Sequence, residues 1–303
     1  VVAYLREDIQ DLRNEVREVR RSVQRLDEKI DARTDGLDAK MDGLRQEMDA
    51  KIEELRREYD AVFVAVGAHQ SRRLNIPGED LEGVLPGVDF LRRVNLGQEV
   101  AVGRRVIVVG GGNVAVDSAM VARRLGAERV TILYRRSRAE MPANPWDVEE
   151  AEEEGIALHF LASPVRVLGR DGRVAGLECV RMELGQPDES GRRRPIPIPG
   201  SEFAVEADTV IVAIGQAVEA PFLEAEGWRL ERGGRIAVDP LTLATKVPGV
   251  FAGGDAVTGP ATVIEAIAAG KRAAESIRRY LRGEDLAAGR TLEAPDISDI
   301  EYY

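Results

Sequence analysis

Residues 106–138, VIVVGGGNVAVDSAMVARRLGAERVTILYRRSR, decide how the rest of the chain is read. Val106, Ile107, Val108 and Val109 are β-branched in unbroken succession, the mark of a buried parallel strand. The strand runs into Gly110, Gly112 and Ala115, spaced as G-x-G-x-x-A, and then into a helical stretch. Gly110 permits a tight turn, Gly112 lets backbone N–H groups approach a pyrophosphate, and Ala115 allows close packing of helix on strand. Gly111, Asn113 and Val114 complete the loop, and the helix N-terminus adds positive potential. A second strand, Val130 to Tyr134, ends in Arg135 and Arg136, about twenty residues after the last motif position. An acidic residue there would hold the ribose 2′-hydroxyl of NAD, whereas arginines suit a 2′-phosphate, so the expected cofactor is NADP(H). The alternative, that these arginines only solvate a strand end, stays open, because basic residues are common on surfaces.

Composition bounds the remainder. A chain of 303 residues with 44% hydrophobic content can form about two domains with cores of their own. The net charge of −11 argues against a nucleic-acid partner, whose footprint is a basic face. Cys179 is the single cysteine, which excludes an internal disulfide and an iron–sulfur cluster held by cysteines of this chain alone. No apolar run reaches the ~18 residues of a membrane span, and the start is too charged for a secretory signal, so a cytoplasmic protein is expected. The first residue is Val1 rather than methionine, which leaves a fragment or an unusual start as alternatives.

Residues 1–57 differ in character from the rest of the chain, being rich in Arg, Glu and Asp. Ile9, Val16, Val23, Ile30, Leu37 and Leu44 recur every seven positions, and Leu5, Leu12, Val19 and Leu26 form a second row. Two such rows predict a coiled-coil helix, and through it a homo-oligomer or a partner chain. The second row meets Arg33 and resumes one position later at Met41, Met48 and Leu55, a slip that alters the supercoil locally. A long solvated helix folded back on its own body is the alternative.

Beyond that helix the chain alternates. Tyr59 to Ala68 reads as a strand ending in small residues; Val148 to Glu154 reads as a helix. Strands are predicted near Ala157 to Phe160, Val165 to Leu168, Val174 to Met182 and Thr209 to Gly215, with a basic hairpin-like segment at Gly191 to Arg194. GVFAGGD at 249–255 precedes a final helix from Thr262 to Tyr280. Strands alternating with helices predict an α/β fold.

These landmarks identify a family. YDAVFVAVGA (59–68), GGGNVAVD (110–117), YRRSRAEMPA (134–143), LGQPDESGRRRP (184–195), VIVAIGQ (210–216) and GVFAGGDAVTGPATVIEAIAAGKRAA (249–274) occur in order over about three-quarters of the chain. From about Leu55 to Gly283 the sequence resembles the C-terminal two-thirds of glutamate synthase small subunits and related NADPH-dependent FAD oxidoreductases of the pyridine nucleotide-disulfide reductase superfamily. The resemblance implies a Rossmann-like NADP-binding domain (99–218) inserted in an FAD-binding domain, represented here by 58–98 and 219–286, with a tail at 287–303. It implies hydride transfer from NADPH to FAD and electron transfer onward to an iron–sulfur partner subunit or another redox partner.

By the same resemblance, Gly110, Gly111, Gly112, Asn113, Val114 and Ala115 cradle the NADPH pyrophosphate, with Arg135, Arg136 and Arg138 on the 2′-phosphate. Val114 stands where relatives often carry threonine. Gly215 ends the A-x-G strand, Gly254 and Asp255 meet the flavin ribityl and pyrophosphate region, and Ala261 and Thr262 begin a helix aimed at the flavin pyrimidine edge. No acid–base residue and no metal ligand is expected. The family's FAD domain opens with its own glycine-rich loop, and residues 1–58 hold none, glycine occurring there only at 36 and 43. The expected incomplete FAD-binding domain is then either a fragment whose first half lies elsewhere or a rearranged protein that lost or borrowed flavin binding.

Other residues read as structural. His69 is expected on the surface or in packing, His159 in a core or strand edge, and Cys179 as an inert buried thiol. Arg192, Arg193 and Arg194 either steer a phosphate or solvate a hairpin tip, and Trp146 either packs near a nicotinamide or is exposed. Two functional classes result: an NADPH-dependent flavoprotein oxidoreductase that needs a partner or further segment, and a catalytically silent NADP(H)-binding subunit on a coiled-coil stalk.

Overall fold

The computed structural model describes residues 54–188, 191–218, 230–231 and 234–292. The heptad rows at residues 1–53 lie outside the described residues. The chain divides into two compact units, residues 1–62 with 220–230, and residues 63–219 with 231–303. In the first, residues 54–58 form a helical turn that ends as Tyr59 N donates to Leu55 O at 2.8 Å.

The second unit is built on a five-stranded parallel sheet in the order β3-β11-β4-β5-β6. Its members are β3 (Val84–Pro86), β4 (Arg105–Val109), β5 (Arg129–Tyr134), β6 (Ala157–Phe160) and β11 (Thr209–Val212). The β-branched run at 106–109 forms the central strand as expected, because it is covered on both faces. Val106 and Val108 face helices α1 (Gly87–Asn95), α2 (Asn113–Arg124) and α3 (Pro145–Glu153), packing with Phe90, Val116, Ile132 and Val148. Ile107 and Val109 point the opposite way, into a second core with Leu133, Leu177 and Val210. Strand periodicity therefore splits one apolar run between two cores.

What covers that second face is a sheet and not a further layer of helices. Strands β7 (Ala162–Arg170), β8 (Arg173–Pro187), β9 (Arg193–Pro197) and β10 (Phe203–Glu206) pair antiparallel, β8 lying between β7 and β10 and continuing beside β9. The predicted strand at Val174 to Met182 is thus the buried middle of a 15-residue strand. Cys179 lies there with no exposed surface, and burial pushes its thiol up to about 12, so it is the inert group expected. His159 stacks on Phe203 with ring centroids 5.5 Å apart, a packing role that joins β6 to the edge of this second sheet.

The remaining strands are short. β1 (Val62–Val64) pairs with β15 (Val250–Ala252), β2 (Gln70–Ser71) with β12 (Gln216–Ala217), and β13 (Leu230–Glu231) with β14 (Arg235–Ile236). The strand predicted over Tyr59 to Ala68 contracts to Val62–Val64, because the chain turns at Gly67, where φ is +72°. Helices α4 (Asp255–Thr258) and α5 (Val263–Leu281) close the unit.

The polar loop after β2 is held by one carboxylate. Glu79, only 9% exposed, accepts from Leu74 N at 2.6 Å and Asn75 N at 2.8 Å, and Asn75 is left-handed at φ 56°. Glu79→Ala strands both N–H groups and is expected to cost about 2 kcal/mol, read from urea denaturation. Glu79→Gln, which retains an acceptor oxygen, is expected to lose less.

Candidate nucleotide-binding site

The chain runs outward from β4 to β5 and β6 on one side and reaches β11 on the other, so the strand order reverses between β4 and β11. In open α/β sheets the crevice beyond the carboxyl ends of such strands is the binding place. The glycine turn sits there. Gly110 N donates to Leu133 O at 3.0 Å, and Ala213 N donates to Val109 O at 2.8 Å, fixing the turn between β5 and β11.

The three glycines of that turn are glycine for different reasons. Gly110 has φ 150°, and a Cβ there would lie 2.2 Å from Ala213 O. A Cβ on Gly111 would lie 2.5 Å from the ring of Tyr134, whose hydroxyl donates to Glu140 O at 2.7 Å. Gly112 is under no such pressure: its φ is −94°, and a Cβ would meet only Pro142 Cγ, at 4.0 Å. What a side chain at 112 would fill is open space at the N-terminus of α2, where Gly112 is the N-cap. Ala115 is fully buried against the sheet, the close helix packing its small side chain predicts. Val114 is half-buried against the helix-side core.

A second loop, at 141–144, is fastened to this turn, a contact absent from the sequence expectations. Ala143 N donates to Gly111 O at 3.1 Å, and Asn144 N donates to Asn113 Oδ1 at 2.9 Å. Asn144 also caps α3 by accepting from Trp146 N at 3.2 Å, with Pro145 in the first turn. An Asn-Pro step before a helix is the sequence signal for it. Trp146 itself is 77% exposed.

The arginines at the end of β5 separate. Arg135 is exposed. Arg136 is 4% exposed and turned inward, donating from Nε to Arg193 O at 2.7 Å and from Nη2 to Asp188 Oδ2 at 2.5 Å. Arg138 is committed to α3, donating to both oxygens of Glu152 at 2.8 and 2.6 Å. Although Arg135 reaches solvent, partial desolvation and then the like charges of Arg136 and Arg192 lower its pKa, with Tyr134 and Asp188 acting the other way, so cations outweigh anions around it. The segment with Arg192 and Arg193 closes one side of it. Arg193 Nε donates to the buried Glu140 Oε1 at 2.5 Å, and this bond, with the one from Ser137, holds the Glu140 carboxyl below its ordinary range. The basic segment is therefore a docked hairpin.

A separate cleft of about 380 Å³ is lined by Ala68, Arg72, Gln216, Val218, Arg235 and the stretch Thr258–Pro260; the other expected site residues are not in its lining, and Gly215 and Ala261 adjoin it in sequence. Gly215, at φ 117°, accepts from Arg72 N at 3.1 Å, and Arg72 Nε donates to Gln216 O at 3.2 Å. Arg72 lacks a sequence signal, whereas His69, which carries one, is exposed beside Gly67. Gly254 has φ 64° and begins α4; Asp255 Oδ1 accepts from Ala261 N at 3.3 Å, tying down the loop that lines the cleft. Thr262 caps α5, and Glu265 reaches back to Thr262 N and Oγ1 at 2.8 and 2.7 Å. Among the described residues no cluster of His, Cys, Asp and Glu could hold a metal ion, and no helix is long and apolar enough to cross a membrane.

Comparison with known proteins bears on this arrangement. The profile of the pyridine nucleotide-disulphide oxidoreductase family matches residues 3–270. The chain is 54% identical over 236 residues to the NADP(+)-dependent formate dehydrogenase subunit beta of Moorella thermoacetica, covering 76% of this chain and 33% of that one. It is 42% identical over 243 residues to the glutamate synthase [NADPH] small chain of Halomonas elongata, covering 76% and 51%. This chain thus spans between a third and a half of these curated relatives. Among solved structures, FprA of Mycobacterium tuberculosis in complex with NADPH superimposes with a TM-score of 0.63 at 22% identity, over 82% of this chain and 69% of that one, a likeness of fold. With its glycine turn at the strand-order reversal and its match from residue 3 to residue 270, this chain belongs to the pyridine nucleotide-disulphide oxidoreductase family.

Proposed function

We propose that this chain is the NADPH-reading part of a flavoprotein oxidoreductase that passes electrons to an iron–sulfur or other redox partner, as in proteins similar to glutamate synthase small chains. The observation that carries this reading is the glycine turn. Gly110 and Gly111 are required by the fold itself, whereas Gly112 faces open space at the start of a 12-residue helix. That space fits a pyrophosphate approached by the N–H groups of residues 112–114, Ala115 N being already donated to Gly112 O at 2.9 Å, and the positive corner at Arg135 fits a 2′-phosphate.

The second cleft supports a flavin more partially. Gly254 and Asp255 would hold the ribityl and pyrophosphate region. Because Glu265 occupies Thr262 N, the helix dipole of α5 would be offered through the N–H groups of Val263 and Ile264. When both cofactors are bound, reduced nicotinamide supplies a hydride and the flavin accepts it. The residues of this chain bind and orient; none acts as acid or base. Val263 and Ile264 are 76% and 79% exposed, an apolar start to α5 suited to being covered by further chain that completes the flavin seat. Residues 1–57 are proposed to join copies or a partner through their heptad seam, and cytoplasm is the proposed location.

Purified protein tests the reading. A yellow preparation whose visible flavin absorbance is bleached by NADPH is expected once the flavin seat is complete. A colourless protein whose melting temperature still rises with NADP(H), even when co-expressed with its redox partner and full flanking sequence, would replace it with the silent binding subunit.

A further inference from the structure

We propose that the alternating prolines of β9 keep an exposed, apolar edge strand from pairing with a second copy of this chain. The stretch that carries them, RPIPIPG at 194–200, plays no part in the nucleotide reading. Among the described residues β9 pairs with β8 alone, so its other side is an open edge. In an antiparallel pair, successive residues turn their N–H and C=O groups alternately toward the partner strand and away from it. Two bonds set the parity here. Ile198 N donates to Arg181 O at 2.9 Å, so residues 196 and 198 turn toward β8. Met182, opposite Pro197, sends its own N–H away from β9, to Leu161 O at 2.8 Å. Pro195 and Pro197 therefore hold the positions whose N–H would face outward, and proline has none.

The edge needs such protection. Ile196 and Ile198 are 40% and 37% exposed, and a β-branched apolar edge with free N–H and C=O groups is a template for another strand. Without donors at 195 and 197, the outward positions of β9 offer carbonyl oxygens only. Two copies brought edge to edge would set acceptor against acceptor there, each carbonyl giving up water for no partner. The two ends of the edge are closed by other means. At its start Arg193 O accepts from Nε of Arg136 at 2.7 Å, so a side chain covers the backbone. Beyond its end Pro199 and Gly200 leave the strand in a turn, where Ser201 Oγ donates to Ile198 O at 2.6 Å. Proline costs the sheet little at 195 and 197, because the N–H groups turned toward β8 belong to Ile196 and Ile198.

Pro195→Val combined with Pro197→Val returns both donors, and is expected to raise the self-association constant of the full chain about tenfold above wild type in sedimentation velocity. Hydrogen–deuterium exchange locates the new contact: protection of residues 194–198 is expected to grow with protein concentration in the variant and not in wild type. Adding Ile196→Lys and Ile198→Lys to the same variant is expected to return association to the wild-type value, since like charges then meet across the edge. Circular dichroism checks that the native fold is kept. Should the double variant lose it, the single variants, each restoring one donor, are read in the same two ways. A folded variant that associates no more than wild type overturns the proposal, and so does new association whose protection maps outside β9.

Discussion

Gly110→Ala is expected to destabilise the chain by about 3 kcal/mol and to abolish nucleotide binding, whereas Gly112→Ala, two residues on, is expected to leave stability within about 0.5 kcal/mol. At φ 150° an alanine at 110 occupies backbone space open in practice to glycine alone. Its Cβ would also fall 2.2 Å from Ala213 O, a main-chain atom held by the Ala213 N to Val109 O bond and unable to withdraw without opening β11 from β4. The damage would reach both cores, since Val109 packs on one face and Ala213 on the other. Alanine at 112 meets no such obstacle, because φ −94° suits any residue and Pro142 stands 4.0 Å away. Its methyl group would instead enter the space proposed for the pyrophosphate, weakening NADPH by tenfold or more. Thermal denaturation with and without NADP(H) checks both variants. Equal loss of melting temperature in the two would mean that Gly112 serves the fold and not a ligand.

That contrast also shows what the sequence could and could not say. The spacing 110, 112, 115 was legible because a tight turn, a close approach and a buried helix contact each exclude most residue types. The central strand was legible because burial on two faces leaves an unbroken apolar run. The antiparallel sheet was legible only in part. Strand β8 runs on to Pro187 through charged and half-exposed residues, and its pairing with β7 shifts register between Pro164 and Arg166 and between Leu168 and Gly169. Bulges of this kind erase the alternation by which a strand is recognised. Nor could Arg135, Arg136 and Arg138 be told apart, since their partners lie far along the chain: Asp188 and Arg193 for Arg136, Glu152 for Arg138. Three identical side chains in four positions take three different fates, decided by tertiary contacts that no local pattern encodes.

Those fates lead to the expectation that Arg135→Asp weakens NADPH about a hundredfold, close to 2.7 kcal/mol, while NADH binds as well as before or better. No ion pair engages Arg135 among the described residues, and its side chain stays exposed just beyond the end of β5. Aspartate at that point replaces attraction for a 2′-phosphate with repulsion, and offers the ribose 2′-hydroxyl the acceptor that NAD sites use. Arg138→Ala should change the NADPH affinity less than twofold, because its guanidinium is spent on both oxygens of Glu152, a surface pair worth at most about 1 kcal/mol. Dissociation constants for the two dinucleotides, measured across a range of ionic strength, decide the matter. A phosphate read by exposed cations loses affinity steeply as salt rises, and Arg135→Asp should flatten that dependence. If both dinucleotides weaken equally in Arg135→Asp, the arginine supports the turn and the 2′-phosphate is read elsewhere.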